Sequence, residues 1–217
     1  MLQLLQLTSP SLPIGGFSWS QGLEYAVDAN WLVSEQDTVN WLQGVLSQSL
    51  AYLDVPVLLR LHDAAVIRDL QRLAYWNEFI LASRETKELQ LEDTQMGAAL
   101  KRLLLDLELY SSEDFISGDI SYLCAFAMAA AVKQIGAKEA AIGFLWSWLE
   151  NQIAAALKTF PLGQTAGQRI FHELADTVVA TVEVSQALGD DEIGNGLPGQ
   201  IMASMLHEEQ YSRLFRS

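Results

Sequence analysis

Residues Ile120–Val132, ISYLCAFAMAAAV, decide the fold class of this chain. A second stretch of similar character, Ala140–Leu149 or AAIGFLWSWL, follows closely. As helices, both stretches are apolar around most of their circumference and rich in small residues, which is typical of helices at the centre of a bundle. Both are shorter than the roughly 20 residues that cross a bilayer, so they predict core helices rather than membrane spans.

Outward from these stretches, apolar residues recur at spacings of three and four along nearly the whole chain. Alternating strand patterns with hairpin dipeptides are absent, which favours helices throughout. Ser34 is predicted to cap a helix that runs to about Asp54, and Pro56 to begin the next one. We therefore expect an all-α, single-domain helical bundle of about ten helices over residues 1–217, with further helices at 69–83, 90–106, 118–134, 138–158, 163–188 and 199–212.

The composition limits the classes of function. Half of the 217 residues are apolar, and 13 basic residues face 27 acidic ones, which gives a net charge of -14. Such a charge repels nucleic-acid phosphates and anionic lipids. Cys124, the only cysteine, excludes an internal disulfide and a cysteine-rich metal site. The high apolar fraction indicates stable partners, and an N-terminus without a basic region predicts a cytoplasmic protein rather than an exported one.

The stretch Ser11–Glu24, SLPIGGFSWSQGLE, invites comparison with nucleotide-binding and catalytic loops. No lysine follows its Gly-Gly pair, so the phosphate-loop pattern fails, and the G-x-S-x-G pattern of serine hydrolases is missing. Ser18 and Gln21 instead match a capping box, which would begin the next helix. Phe17 and Trp19 are left as candidate contacts for another protein.

The three histidines, His62, His172 and His207, are dispersed along the chain. No two of them have the spacing that places two metal ligands on one helix face, so we expect no built-in metal site. His207 stands beside Glu208 and Glu209 and is a candidate for transient contact with a metal ion. Docking of this polar segment on a partner is the preferred interpretation.

Residues Ala82–Gly97, ASRETKELQLEDTQMG, form the main charged stretch. On a helix, Arg84 and Glu88 are i,i+4 neighbours, as are Glu88 and Glu92, which predicts a solvated face with modest side-chain pairs. The alternative is that Arg84, Glu85 and Glu88 present a fixed polar pattern to another protein, with the arginine as the anchor.

Two further stretches predict contacts or motion. In residues 158–169, KTFPLGQTAGQR, Gly163 and Gly167 lie one turn apart, where another helix could approach, but packing does not explain Gln164 and Gln168. Residues 190–199 are acidic and glycine-rich and predict a flexible linker. The linker leads to residues 207–217, which we predict to be a mobile, partner-binding tail.

Five of these stretches occur in a fixed order. They are LPIGGFSWSQGLE near the start, DVPVLLRLHDA at 54–64, WNEFILASRETKELQLEDTQMG at 76–97, PLGQTAGQR at 161–169 and HEEQYSRLFRS at 207–217. Together they resemble the UreF family of urease accessory proteins. The departures are small: Trp19 stands where tyrosine is common, Glu209 replaces the usual threonine, and the apolar middle matches only in character.

The resemblance implies an all-α protein that forms a homodimer and binds the accessory protein UreD, also called UreH, and the GTPase UreG. This assembly engages apo-urease and, coupled to GTP hydrolysis, places two nickel ions on the carbamylated lysine site. The UreF-type protein is implied to be no enzyme and to hold no permanent cofactor: it scaffolds the complex and modulates the GTPase, which binds the GTP. The candidate partner-binding residues are Phe17, Trp19, Gln21, Glu24, Arg84, Glu85, Glu88, Lys158, Gln164, Gln168, Tyr211, Arg213, Leu214, Phe215 and Arg216.

Two alternatives stay open at this point. The chain could be a generic helical adaptor unrelated to nickel. It could also be a GTPase-activating factor that supplies Arg84 or Lys158 in trans to nucleotide bound by its partner, a contribution that speeds hydrolysis by orders of magnitude where it exists.

Overall fold

Ten α-helices and no strand form the chain in the computed structural model, which describes residues 1–217. Three 3-10 turns lie at Gly16–Ser18, Ser112–Asp114 and Asp190–Glu192, and a π-helical segment, Val45–Leu50, continues the third helix. The all-α prediction is confirmed. The helices are α1 Leu2–Leu7, α2 Leu23–Asp28, α3 Glu35–Gly44, α4 Asp54–Val66, α5 Leu70–Ala82, α6 Lys87–Asp106, α7 Tyr122–Val132, α8 Ala137–Thr159, α9 Gln164–Ala187 and α10 Pro198–His207.

Helix α7 lies at the centre of the bundle. Every residue from Tyr122 to Ala130 is buried, and the helix packs mainly against α4 and α6. Gly97 of α6 comes so close to the start of α7 that a Cβ there would collide with the backbone of Ile120 and Ser121. The stretch that predicted a core helix therefore forms one.

Helix α8 is buried on its inner face only. Ala140 and Leu145 are fully buried, and Phe144 packs edge-on against Phe126 of α7, with ring centroids 5.8 Å apart. On the outer face, the Trp146 side chain is 45% exposed. The prediction of a second core helix is right for the inner face and wrong for the outer one.

Helix ends follow local capping signals where such signals exist. Ser34 accepts a hydrogen bond from the Asp37 N–H at 3.1 Å, as predicted for an N-cap. Pro56 lies in the first turn of α4, also as predicted. The Thr86 side chain caps α6, so this helix begins earlier than predicted, and α10 ends at His207 rather than near residue 212.

The predicted capping box at Ser18 and Gln21 is wrong. Ser18 lies in a 3-10 turn, Gln21 has a φ of 54°, and α2 begins only at Leu23. Gly22 has a φ of 83° and touches the backbone of α10, where a Cβ would approach the Ser204 nitrogen to 2.6 Å. This close tertiary contact sets the entry into α2. The hydroxyl of Ser20, not that of Ser18, accepts a hydrogen bond from the Glu24 N–H of the first turn, at 3.4 Å.

Residues 190–199, the predicted flexible linker, contact the body of the bundle at several points. Arg60 pairs with Asp190 at 3.0 Å, and the Gly194 N–H donates to the Tyr52 carbonyl oxygen at 2.9 Å. Pro198 already belongs to α10. The flexibility of this stretch stays a prediction.

None of the helices alone has the length and apolarity of a membrane span. The segments Glu35–Leu50 and Asp54–Val66 reach both criteria only as a pair, and a 47° bend separates them. Helix α7, which is apolar on all sides, has only 11 residues.

Candidate functional site

The C-terminal segment, residues 208–217, lies against α2, α6 and the loop that precedes α2. The Arg216 N–H donates to the Ser18 carbonyl oxygen at 2.9 Å, and the Ser20 N–H donates to the Ser217 carbonyl oxygen at 2.7 Å. The segment and the loop, which the sequence singled out separately, thus form one site. The structure gives the segment in a docked arrangement, and its mobility stays a prediction.

Two carboxylates on the body hold the segment in place. Glu24 of α2 accepts hydrogen bonds from the Leu214 N–H at 2.7 Å and the Phe215 N–H at 2.9 Å. Glu88 of α6 accepts one from the Arg213 guanidinium at 2.6 Å. Hydrogen bonds to an ionised acceptor are roughly twice as strong as neutral ones, so these two side chains are the main polar anchors of the segment.

His207, the last residue of α10, is fully buried between the same two carboxylates. Its Nδ1 lies 2.7 Å from a Glu88 oxygen, and its Nε2 lies 3.1 Å from a Glu24 oxygen. Both ring nitrogens are engaged by protein groups in this arrangement, and a transient metal contact at His207 stays a prediction. We call Glu24, Glu88, His207 and Arg213 the histidine cluster.

Aromatic and cationic side chains cover the rest of the segment. The Phe215 ring is buried, with the Lys158 ammonium 5.4 Å from its centroid, and the Arg216 guanidinium lies 5.5 Å from the Trp19 ring centroid. Trp19 is only 3% exposed, so it is an internal contact rather than the surface contact that the sequence suggested. Phe17, by contrast, is 67% exposed and remains available to a partner.

The Arg84 side chain is largely buried in the bundle, and two carboxylates bind its guanidinium. Its Nη2 donates to Asp54 at 2.7 Å and its Nε donates to Asp93 at 2.9 Å, while the other Asp93 oxygen accepts the Tyr122 N–H at 2.6 Å. Burial disfavours the charge on Arg84, but the two carboxylates outweigh it and hold its pKa above the ordinary value. The predicted solvated face is therefore wrong at Arg84, although the neighbouring Glu85 is exposed.

Glu92 and Gln21 line a cavity of about 80 Å³ between α6, α8 and the loop before α2. The Gln21 amide donates to Glu92 at 2.9 Å, and its carbonyl accepts the Trp148 indole N–H at 2.8 Å. The second Glu92 oxygen is buried without a partner. Burial raises the pKa of Glu92 to about 8, although the Gln21 hydrogen bond and the nearby Arg84 charge both lower it. Gln21 is thus half-buried and bonded to other residues of the chain, and its role in binding a partner stays a prediction.

The predicted residues at the start of α9 take no part in this docking. Gln164 and Gln168 are exposed there. Gly167 packs closely on α8, since a Cβ there would lie 3.1 Å from the Leu157 side chain, whereas Gly163 has open space around it. The packing prediction is right for Gly167 and wrong for Gly163.

Three carboxylates that hold the elements of the site in place were not among the predicted site residues. Asp54 and Asp93 neutralise Arg84, and a Glu208 oxygen accepts the N–H groups of Lys87 at 2.8 Å and Glu88 at 3.3 Å at the start of α6. No local pattern could find the last contact, because its partners are 121 positions apart. For Asp54, the one available signal was its place in an apolar run.

The comparisons with known proteins agree with the resemblance. A family model described as UreF matches residues 32–175. The urease accessory protein UreF of Alkalilimnicola ehrlichii is 49% identical over 216 residues, which cover 99% of this chain and 95% of that protein. The proteins of the same name from Chromohalobacter salexigens and Marinobacter nauticus are 46% and 45% identical, covering 99% and 100% of this chain and 93% and 94% of theirs. The chain therefore belongs to the UreF family of urease accessory proteins.

Proposed function

We propose that this chain is a non-catalytic scaffold in urease maturation. It acts with UreD (UreH) and the GTPase UreG to assemble the nickel centre of apo-urease, and it modulates the GTPase, which binds and hydrolyses the GTP. Nickel is cargo of this process, and the proposed place of action is the cytoplasm, where the GTPase finds its nucleotide. The observation that carries the proposal is the C-terminal segment, docked on the body by its inner side chains and open to a partner on its outer side.

The outer side of the segment is suited to a protein partner. Tyr211 is fully exposed, Leu214 is 73% exposed, and Phe17 stands in the adjoining loop. On α10, Met202 and Met205 also point outward. Exposed aromatic and apolar side chains fixed on an ordered backbone are efficient interface anchors, because little conformational entropy is lost on binding. We assign this face to the UreD-type partner.

A homodimer is part of the proposal. Helix α1 leaves Leu2 and Leu5 exposed, and α8 leaves Trp146 partly exposed. Apolar side chains of this kind favour burial by a second copy. The mass of the purified chain in solution measures this directly: that of a dimer is expected, and a monomer at micromolar concentration would remove the homodimer from the proposal.

The alternative of a GTPase-activating residue in trans loses one of its two candidates. Arg84 would have to leave Asp54 and Asp93 to reach a nucleotide on another protein. Lys158 is exposed, and its ammonium lies over the Phe215 ring without an ion-pair partner, so it remains a candidate for contact with nucleotide on another protein. GTP hydrolysis by the full complex, measured with Lys158→Ala, separates the two roles: unchanged hydrolysis with intact assembly supports the scaffold.

The proposed partner face is tested with two altered chains. A chain ending at His207 and the double variant Tyr211→Ala with Leu214→Ala should both stay helical and fail to co-purify with the UreD-type protein. The matched control is Val66→Ala with Ile67→Ala, which truncates two other exposed apolar side chains, at the end of α4. Full recovery of the partner with the double variant would refute the assignment.

The adaptor alternative is tested in cells. Urease should stay inactive without the chain and gain activity when the chain is restored. Urease that is equally active in its absence would favour an adaptor unrelated to nickel.

A further inference from the structure

We propose that the cavity beside Glu92 binds a small uncharged amide, and that the Glu92 carboxyl donates a hydrogen bond to the carbonyl oxygen of this ligand. The site belongs to this chain alone and does not depend on the proposed role in urease maturation. The cavity lies between α6, α8 and the loop before α2, and the exposed residue Glu85 is part of its lining, so it reaches the protein surface.

The observation that calls for a ligand is one oxygen of Glu92. The residue is only 9% exposed, and its second carboxyl oxygen is buried without a hydrogen-bond partner in the protein. The first oxygen accepts the Gln21 amide at 2.9 Å. Because buried polar atoms are almost always paired, the free oxygen indicates a partner that comes from outside the chain.

Hydrogen bonds around Glu92 determine which of its oxygens carries the proton of the neutral carboxyl. An indole N–H only donates, so the Trp148 N–H, at 2.8 Å, identifies the carbonyl end of the Gln21 amide. The NH2 end of Gln21 therefore faces Glu92, whose first oxygen must accept. The hydroxyl is then the second oxygen, which has a proton to donate and no acceptor.

The surroundings of Glu92 favour its neutral form. Arg84 is the one cation in the cavity lining, and its Nε and Nη2 donate to Asp93 and Asp54 rather than to Glu92. Burial without a paired cation disfavours the ionised carboxyl and raises the pKa of Glu92 to about 8. The missing partner is therefore a hydrogen-bond acceptor. Since Asp54 and Asp93 repel an anion, this acceptor is uncharged.

The rest of the lining suits an amide. Asn151 and Gln152 of α8 line the same cavity, and each has a side-chain carbonyl oxygen that can accept an N–H of the ligand. Trp19 and Phe144 supply apolar surface for a short alkyl group. The cavity volume of about 80 Å³ is several times the roughly 10–15 Å³ that one water needs, so a ligand of a few heavy atoms fits.

Three ligands of nearly the same shape test the proposal: acetamide is uncharged, acetate is an anion and acetamidinium is a cation. Each is titrated into the full chain at about pH 6.5, where Glu92 keeps its proton. The readout is the NMR signal of the Trp148 indole N–H, assigned with Trp148→Phe, because this group binds Gln21 and through it senses Glu92. The exposed Trp146 indole is the reference for non-specific effects.

Acetamide should shift the Trp148 signal in a saturable way, with a dissociation constant on the order of 1–100 mM for a ligand this small. Acetate and acetamidinium should bind at least about tenfold more weakly, because each would bring a charge into a buried site. No saturable shift with acetamide, or tighter binding of either ion, would overturn the proposal.

Two variants of Glu92 separate hydrogen bonding from charge. Glu92→Gln keeps a donor at the position of the free oxygen and never ionises, so it should bind acetamide within about twofold of the wild-type affinity. Glu92→Met has no donor and should bind about three- to tenfold more weakly. Equal acetamide affinities of Glu92→Met and the wild-type chain, or loss of binding in folded Glu92→Gln, would contradict the proposal. If Glu92→Met does not fold, the three ligands on the wild-type chain decide, since they need no substitution.

Discussion

The Arg84 guanidinium joins three parts of the bundle at one buried point. It lies in the turn between α5 and α6 and binds Asp54 at the start of α4 and Asp93 in α6. Asp93 in turn accepts the first N–H of α7 from Tyr122. A buried ion group of this kind holds its elements in register, and it is costly to break from one side only, because the remaining charges stay buried without a partner.

Removing this guanidinium should destabilise the fold strongly. Arg84→Ala leaves two buried carboxylates unpaired, so we expect the free energy of unfolding in urea to fall by about 3–5 kcal/mol. Arg102→Ala, at an exposed pair with Asp106, is the matched control and should leave stability unchanged. A loss below about 1 kcal/mol for Arg84→Ala would mean that the ion group does not hold the elements together.

Glu92 makes stability depend on pH. Burial raises its pKa from 4.5 to about 8, so across this window the folded chain keeps a proton that the unfolded chain has lost. A carboxyl with a raised pKa contributes less to stability as the pH rises through the window, and its contribution is constant above it.

Substitution of Glu92 should flatten this dependence. The difference in unfolding free energy between Glu92→Gln and the wild-type chain is measured by urea denaturation at about pH 5 and about pH 8. It should shift in favour of Glu92→Gln by about 1–4 kcal/mol from the lower to the higher pH. Asp106→Asn changes an exposed carboxyl of the same helix and should leave the pH slope as it is. If the unfolding free energies of Glu92→Gln and the wild-type chain changed equally with pH, Glu92 would not be a buried, protonated carboxyl.

At the scale of elements, the contact between α6 and α7 depends on Gly97. A Cβ at this position would overlap the backbone of Ile120 and Ser121, which cannot move as a flexible side chain could. Gly97→Ala should therefore lower the unfolding free energy by about 1–3 kcal/mol in urea denaturation. Gly163→Ala, with nothing near its added methyl group, should cost less, because only the N-cap preference for glycine at the start of α9 is lost. Equal stabilities of the two variants would contradict the close approach.

Elements could be predicted from the sequence where their signals are local. Ser34 and Pro56 mark helix starts correctly, because an N-cap and a first-turn proline act within a few residues. The continuous apolar run of small residues finds α7 for the same reason, since it too is a local feature. The entry to α2 could not be predicted, since the contact of Gly22 with Ser204 sets it across the fold. The same holds for Arg84, whose partner Asp54 lies 30 positions away.

At the scale of the whole molecule, the site is a face assembled from distant segments. The sequence analysis names Glu24, Glu88 and Arg213 only as separate candidates for partner binding. Their joint contacts with the C-terminal segment and the burial of His207 between the two glutamates depend on the folded chain. The net charge of -14 suits association with basic protein surfaces and opposes nucleic acids. The inner side chains of the C-terminal segment bind the body of the bundle, whereas its outer side chains, Tyr211 and Leu214, are exposed and open to a partner.

The most direct test of the central claim is the nickel content and activity of urease purified from cells that lack this chain and from the same cells with it restored. We expect nearly nickel-free, inactive urease in its absence, full nickel and activity with the wild-type chain, and no recovery with the chain that ends at His207. Urease that carries its full nickel and is fully active without the chain would contradict a role in assembling the nickel centre.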